Sequence, residues 1–463
     1  MRVLFHGQEQ SSAFRSRPTE LEARLLPALD LRRNRCAGTG DPRSGSPGDA
    51  STKRGQVKST QMKTTQLNYG SEQSAERLDR ILAGMAEETA QARLERWQGL
   101  FDRLAGPNAD HLVLFGAGEF GRWVLGRLRR VGIEPLCMVD NNQARWGSNV
   151  DNVEVLSPSD AVQRFSQRAC FVVTVYNGSA ARKQLREMGC GRVLPAPLLF
   201  WKYPGEFMPD HGIDAPERLL EEEGQIRACF SVLSDERSRQ ELCDQIEWRY
   251  WMKPEYLPLP FNESELYFPS ELVAETEQEV LVDCGAFDGD SIRSFIRRGQ
   301  DFQHLYALEP DAVNLDRLHA FLSSLPEAIR NKVTVWPYAV GDRDEQVNFV
   351  QTHDVASRVS STGAGISIES RKLDTLPWRF KPTYIKMDIE GSEPLALAGG
   401  AQLLKSEKPV LAICLYHRTE HLWQIPNLIH SIEPEYALYL RRYAEDCWEQ
   451  VCYAVPRCRM NEV

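Results

Sequence analysis

Short apolar runs of strand length alternate with segments whose apolar residues recur every three or four positions. This alternation occurs twice, over about 111–194 and 280–455, and predicts parallel β-sheets with helices on both faces, an α/β fold. The last two runs, 436–442 and 447–455, are separated by only a few polar residues and predict an antiparallel hairpin at the edge of the second sheet. We therefore predict two doubly wound, Rossmann-like modules.

The predicted boundaries divide the chain into a leader (1–70), a first module (71–205), a helical connector (206–270) and a second module (271–463). The leader is rich in Gly, Ser, Pro and Arg. Such a composition cannot bury enough apolar surface to offset the entropy of ordering, so we expect disorder there. An alternative for this part is that translation begins at Met62.

Composition changes this picture little. The chain has 463 residues, 42% of them hydrophobic, and a net charge of -10, which argues against a nucleic-acid partner. Its 11 cysteines contain no C-x-x-C pair and predict reduced thiols and a cytoplasmic location. Since no apolar stretch approaches the ~18 residues of a membrane-spanning helix, we expect no membrane span. The oligomeric state stays open.

The first module carries a glycine motif in a strand-turn-helix context. Gly116, Gly118 and Gly121 follow an apolar run, and Asp140 ends the next run nineteen residues later. This pattern predicts a dinucleotide site, with phosphate at the helix N-terminus and Asp140 on ribose hydroxyls. The alternative is a tight connection without a ligand, since the module reads as one mononucleotide-binding half. It resembles small modules beside sugar-modifying transferases, which implies a nucleotide or nucleotide-sugar; bound NAD would instead indicate an oxidoreductase.

The second module has a less regular glycine turn. Asp283, Gly285 and Gly289 surround this turn, and Glu309 ends the following run. An exposed backbone and an acid can hold the amino-acid end of a cofactor, and Glu309 can accept hydrogen bonds from ribose. Acids at strand ends also favour a cationic sulfonium over an anionic pyrophosphate. We therefore predict a nucleoside-type methyl donor at this turn.

Catalytic candidates occur at two later strand ends. Asp388 and Glu390 end one strand and His417 ends the next, so all three should lie at the ligand-binding edge. In one arrangement Asp388 or His417 is the general base for a hydroxyl. In the other, Asp388 and Glu390 bind Mg²⁺, which would hold the acceptor hydroxyl. Lys386 should pair with one of these two carboxylates, because a buried unpaired ammonium is costly.

Five segments of the second module resemble the FkbM family of methyltransferases. They are Val-Asp-Cys-Gly-Ala-Phe-Asp-Gly at 282–289, Tyr-Ala-Leu-Glu-Pro-Asp at 306–311, Tyr-Ala-Val at 338–340, Tyr-Ile-Lys-Met-Asp-Ile-Glu-Gly-Ser-Glu at 384–393 and Leu-Tyr-His-Arg at 415–418. The resemblance implies methyl transfer from S-adenosylmethionine to a hydroxyl, commonly of a sugar, glycan or natural product, as in polysaccharide biosynthesis. The expected acceptor is a saccharide or nucleotide-sugar.

Overall fold

The computed structural model describes residues 73–253, 257–258, 260–350, 358–359 and 365–461. The leader, for which we expected disorder, lies outside these residues. Helices α1 (Ser74–Glu87), α2 (Ala90–Gln98) and α3 (Leu100–Ala105) precede the first sheet. Its strands and helices are β1 (Leu112–Phe115), α4 (Glu119–Arg130), β2 (Cys137–Val139), β3 (Asn149–Val150), β4 (Val153–Leu156), α5 (Pro158–Phe165), β5 (Cys170–Val173), α6 (Ser179–Glu187) and β6 (Val193–Pro195).

The N-terminal sheet is larger than the half-fold that we predicted. Its strand order is β3-β4-β2-β1-β5-β6, and all neighbours except β3 and β4 are parallel. The five parallel strands thus follow the 3-2-1-4-5 order of a doubly wound sheet, which reverses between β1 and β5. The prediction lacked β4, a strand of only four residues with the exposed Glu154 in it, too short and too polar to stand out as an apolar run.

The connector packs against both sheets, through two separate core clusters. Helices α7 (Pro197–Lys202) and α8 (Pro204–Phe207) lead from β6 into the connector, which contains α9 (Glu217–Glu221), α10 (Glu223–Val232) and α11 (Glu236–Trp251). Helix α1 packs on α11, and Arg77 lies 2.7 Å from Asp244 of that helix. Apolar residues of α1 belong to the core cluster that also contains Val280 and Leu411. Helix α1, which lies in the predicted first module (71–205), therefore shares a core with the C-terminal sheet.

The C-terminal sheet has seven strands. Its strands are β7 (Val280–Cys284), β8 (His304–Leu308), β9 (Val333–Trp336), β14 (Tyr384–Met387), β15 (Val410–Cys414), β16 (Ala437–Arg442) and β17 (Gln450–Val455). They lie in the order β16-β17-β15-β14-β7-β8-β9. Strand β17 is antiparallel to both of its neighbours, β16 and β15, and all other neighbouring strands are parallel. The predicted α/β fold with a closing antiparallel hairpin is confirmed.

Six helices and a small sheet complete this part of the chain. The helices are α12 (Asp290–Arg297), α13 (Ala312–Ser323), α14 (Glu327–Arg330), α15 (Glu393–Gly399), α16 (Ala401–Glu407) and α17 (His421–Ile432). The small sheet, in the order β10-β13-β11-β12, contains β10 (Ala339–Val340), β11 (Glu345–Val350), β12 (Arg358–Val359) and β13 (Ile366–Arg371). It flanks the carboxyl edge of the large sheet, because Ala339 and Val340 line the cavity described next.

Candidate functional site

A cavity of about 510 Å³ opens at the carboxyl ends of β7, β8, β14 and β15. Parallel strands direct their ends to one edge, which explains why residues far apart in sequence meet there. Of the predicted site residues, Gly285, Glu309, Asp388 and Glu390 line the cavity. The N-terminal sheet and the loop between β16 and β17 complete its wall.

The glycine turn after β7 packs directly against the end of β14. Gly285 has a φ of 78°, and a Cβ at this position would lie 1.9 Å from the carbonyl oxygen of Asp388. Only glycine permits this approach. The backbone N–H of Phe287 in the same turn donates to Glu309 Oε2 at 2.8 Å, and the N–H of Asp311 donates to Oε1 at 2.9 Å. The turn therefore fixes the Glu309 carboxylate at the cavity, where burial raises its pKa.

Asp283 lies behind this surface, which differs from our prediction of a direct cofactor contact. Its side chain is fully buried, and its Oδ1 lies 2.9 Å from Lys386 Nζ. The strand register places these two residues side by side on β7 and β14, so Lys386 pairs with Asp283 and not with Asp388 or Glu390 as we expected. Lys386 also donates to the carbonyl oxygen of Gly285 at 2.8 Å. Gly289 packs against Phe321 and, like Asp283, is outside the described cavity lining.

The carboxylate of Asp388 receives several donors. The hydroxyl of Tyr267 donates to its Oδ2 at 2.8 Å and that of Tyr416 to its Oδ1 at 3.1 Å. His417 Nε2 lies 3.0 Å from Oδ1. Burial alone would raise the pKa of Asp388, but His417 and Lys386 hold this pKa well below its usual range. Asp388 is therefore an anion at neutral pH and a weak base.

His417 lies between carboxylates on both sides. Its Nδ1 is 2.7 Å from Glu393 Oε1, opposite the side that faces Asp388. Burial opposes the charge of the imidazole, yet Glu393 and Glu390 raise the pKa of His417 well above its usual value. An imidazolium cannot accept a proton, so this geometry disfavours His417 as the general base.

Glu390 is the remaining predicted group, and its backbone is unusual. Its φ is 55°, a left-handed conformation that costs a non-glycine residue free energy and occurs often at functional sites. Its Oε2 lies 3.9 Å from His417 Nε2. Burial, assisted by the charge of Asp388, raises the pKa of Glu390 to about 7. Ligand atoms of Asp388, Glu390 and His417 all lie within 4.8 Å of one another, so the cluster can hold either protons or a divalent cation.

The part of the chain that contains these site residues is similar to known proteins. Residues 283–447 match the family model described as Methyltransferase FkbM domain. The C-terminal part of this chain is an FkbM methyltransferase domain. The fold is similar to the crystal structure of Methyltransferase FkbM from Methylobacillus flagellatus KT, with a TM-score of 0.64 and 24% identity over 82% of this chain and 99% of that chain.

Other methyltransferase structures match a smaller part. A putative rRNA-methylase from Clostridium thermocellum is 8% identical over 41% of this chain and 91% of its own, with a TM-score of 0.27. A precorrin-6y C5,15-methyltransferase from Geobacter metallireducens GS-15 is 15% identical over 40% and 83%, with a TM-score of 0.24. No match was found among curated protein sequences.

Several residues of the FkbM methyltransferase site were not predicted from the sequence. Tyr267, Tyr416 and Glu393 surround Asp388 and His417, and Glu449 lines the cavity from the β16–β17 loop. Tyr416 and Glu393 could have been predicted, since both lie in the segments that resemble the FkbM family. Tyr267 and Glu449 belong to no recognisable sequence motif, because only the packing of distant loops brings them to the cavity.

The glycine motif of the N-terminal sheet has structural roles that account for it. A Cβ at Gly121 would lie 1.8 Å from the carbonyl oxygen of Gly116, so these two glycines let α4 pack against the turn. Asp140, predicted to bind ribose, accepts a hydrogen bond from the N–H of Ala117 at 3.1 Å and pairs with Arg145 at 3.0 Å. A Cβ at Gly118 would lie 3.8 Å from Nη1 of Arg145.

Within the described residues, no helix is long and apolar enough to cross a membrane.

Proposed function

We propose that this protein is an S-adenosylmethionine-dependent O-methyltransferase that acts on a hydroxyl group of a saccharide, glycan or natural product. One observation carries the proposal: a single cavity is lined both by Gly285 and Glu309 and by Asp388 and Glu390. A donor nucleoside bound at the first pair and an acceptor hydroxyl bound at the second would meet within one enclosure. The match to the FkbM family model supports methyl transfer as the reaction.

Gly285 and Glu309 fit S-adenosylmethionine, whose sulfonium supplies an activated methyl group. Each Glu309 oxygen accepts one backbone N–H, and a carboxylate oxygen can accept a second bond, here from a ribose hydroxyl. Glu449 Oε2 is buried without a hydrogen-bond partner among the described residues. Burial raises the pKa of Glu449, and a cationic ligand beside it would favour its ionised form.

We assign Asp283 an indirect role in donor binding. Its carboxylate compensates the charge of Lys386, whose ammonium in turn holds the carbonyl oxygen of Gly285. The pair thereby fixes the backbone of the turn that the donor would contact. Gly289 contributes by letting α12 begin against Phe321.

For proton removal, we assign the general base to Glu390. Its raised pKa, about 7, suits a group that must accept a proton near neutral pH. Asp388 and His417 would orient the acceptor and balance charge around it. The donor would supply the methyl group with cleavage of its carbon–sulfur bond, and Glu390 would accept the proton that the hydroxyl oxygen loses on methylation.

The same cluster also fits a divalent cation such as Mg²⁺, as one of our two sequence-based arrangements proposes. Asp388 and Glu390 would hold it together with Nε2 of His417, and it would lower the pKa of the acceptor hydroxyl. Glu393, 2.7 Å from Nδ1, would then keep the proton on that nitrogen, as carboxylates behind metal-binding histidines do.

Calorimetric titration with S-adenosylhomocysteine tests the donor site. We expect saturable binding, weakened at least about tenfold by Glu309→Ala, which corresponds to ~1.4 kcal/mol. The matched control is Glu327→Ala, an exposed glutamate of α14, which should bind as the unchanged protein does. Absence of saturable binding, or equal affinity in Glu309→Ala, would overturn the proposal.

Methyl transfer itself is tested with radiolabelled S-adenosylmethionine and fractionated cell glycans, with and without EDTA. Glu390→Gln should lower the rate about 10²–10⁴-fold, while Glu327→Gln should leave it unchanged. Loss of activity in EDTA that Mg²⁺ restores would support the cation arrangement. Activity that persists in EDTA would leave Glu390 as the base without a cation.

We also propose a cytoplasmic location. The ten cysteines within the described residues are free thiols, and nine of them are buried. Disulfides are rare in reducing compartments, so this state of the thiols supports the cytoplasm.

A further inference from the structure

The carboxyl edge of the N-terminal sheet reaches the methyltransferase cavity. Tyr176 and Asn177 follow β5, one of the two strands between which the strand order reverses, and both line the cavity. The ring of Tyr176 stacks on Phe120 at 4.9 Å and meets the ring of Trp448, in the β16–β17 loop, edge-on at 4.9 Å. Tyr176 nevertheless keeps 44% of its surface exposed. The rings of Tyr176 and Trp448 thus form an aromatic wall of the cavity that the glycine turn of β7 also lines.

The β16–β17 loop packs against one side of the crevice where doubly wound sheets bind ligands, at the end of β5 and the start of α6. Glu445, from the same loop as Trp448, accepts the backbone N–H of Ser179 at the start of α6 at 2.7 Å. Its carboxylate also lies 3.5 Å from Arg182, and its own N–H donates to Asn177 Oδ1 at 3.0 Å. A protein carboxylate therefore occupies the N-terminus of α6, the helix that follows β5 at the crevice. This edge of the sheet also contributes to the neighbouring cavity.

The cavity is acidic. Its lining contains six carboxyl groups, from Glu263, Asp290, Glu309, Asp388, Glu390 and Glu449, and Asp388 among them is ionised at neutral pH. Among the described lining residues, Lys386 is the one lysine or arginine, and Asp283 compensates its charge. A bound anion would face net repulsion in a partly desolvated space. Phosphate, pyrophosphate and carboxylate groups on an acceptor are therefore disfavoured.

We propose that Tyr176, Asn177 and Trp448 form an acceptor-binding wall that selects a hydroxylated ring that is neutral or carries an amine. Aromatic rings offer an apolar face to the C–H surface of a sugar-like ring, while the polar edges stay available for hydrogen bonds. The amide of Asn177 stands beside that face. This inference rests on the proposed methyltransferase function and narrows its acceptor, because it rejects the nucleotide-sugar acceptor that the sequence had suggested.

Saturation-transfer NMR on the full chain tests the inference, with S-adenosylhomocysteine present. The four probes are methyl glucoside, methyl glucosaminide, methyl glucuronide and UDP-glucose. We expect saturation transfer to the first two and none to the two anions. Tyr176→Ala should reduce the transfer about fivefold, whereas Tyr176→Phe, which keeps the ring, should retain most of it. The control is Leu136→Ala, an exposed leucine of the N-terminal module outside the cavity lining.

The outcomes separate this inference from the proposed function. Calorimetry with S-adenosylhomocysteine should give the same affinity for Tyr176→Ala as for the unchanged chain, and a failure of the unchanged chain to bind it defeats the proposed function itself. If donor binding holds, the inference is overturned by UDP-glucose or methyl glucuronide binding as well as the neutral glycoside. It is equally overturned if neither neutral nor amino glycoside binds, or if Tyr176→Ala leaves their saturation transfer unchanged.

Discussion

At the scale of single residues, the Asp283–Lys386 pair should be the most sensitive point of the catalytic edge. Both side chains are buried at 2.9 Å from each other. Lys386→Met leaves an uncompensated carboxylate and should lower the free energy of unfolding by about 3–5 kcal/mol, measured by urea denaturation at pH 8. Adding Asp283→Asn to this variant should restore most of the loss. A loss below ~1 kcal/mol for Lys386→Met alone would contradict the account.

Glu449 should make stability depend on pH. Burial and the nearby Asp388 raise the pKa of Glu449 to about 8 in the folded protein, against about 4.3 in an unfolded chain. Between these values the folded state binds the proton more tightly, so the free energy of unfolding falls as pH rises from about 4 to about 8. Glu449→Gln should therefore stabilise the protein at pH 8, by ~2 kcal/mol, and have little effect at pH 4.

Urea denaturation of both proteins at several pH values measures this difference. Glu327→Gln, at an exposed position of α14, provides the control and should not reproduce the stabilisation at pH 8. A stabilisation by Glu449→Gln that grew toward pH 4 would reverse the expected sign.

At the scale of elements, the loop between β16 and β17 connects both sheets. Glu445→Ala removes the acceptor for the N–H of Ser179 and the partner charge beside Arg182. Because charge-assisted hydrogen bonds are among the stronger ones, the free energy of unfolding should fall by about 2 kcal/mol. Glu435→Ala, which breaks the exposed pair with Lys408, should cost less than ~1 kcal/mol. Equal melting temperatures of the two variants would argue against this loop as a connection.

The sequence was informative about elements wherever an apolar run was bounded by glycine or polar residues. The runs that became β1, β7 and β14 are fully buried, as parallel strands covered on both faces must be. It was less informative about β4, in which Glu154 interrupts a run of four residues.

Register was harder to predict than the strands themselves. The sequence places Lys386 two residues from Asp388, but strand pairing places it beside Asp283. Tyr176 and Glu449 reach the cavity through loops whose course depends on tertiary packing, and no spacing rule connects them to the glycine turn. Strand ends could therefore be predicted from local pattern, while the aromatic wall of the cavity could not.

At the scale of the whole molecule, the methyltransferase domain should not fold without the residues before it. Helix α1 contributes Leu78, Ile81, Leu82 and Met85 to the core that contains the strands of the C-terminal sheet. Loss of a buried leucine, isoleucine or methionine side chain typically costs about 2–5 kcal/mol, and total stability is only about 5–15 kcal/mol. A chain that begins at residue 206 lacks all four side chains. We expect it to bind a hydrophobic dye and to melt without cooperativity in a thermal scan.

A point variant separates packing from simple loss of chain length. Met85→Ala in the full chain should lower the free energy of unfolding by about 2–5 kcal/mol, since Met85 is fully buried in the shared core. Leu94→Ala, at an exposed position of α2, is the control and should change it by less than ~0.5 kcal/mol. If the chain from residue 206 melts cooperatively within a few degrees of the full chain, α1 is dispensable and the shared core does not stabilise the domain. If it fails to fold while Met85→Ala is strongly destabilised, the boundary of the methyltransferase unit lies before residue 74.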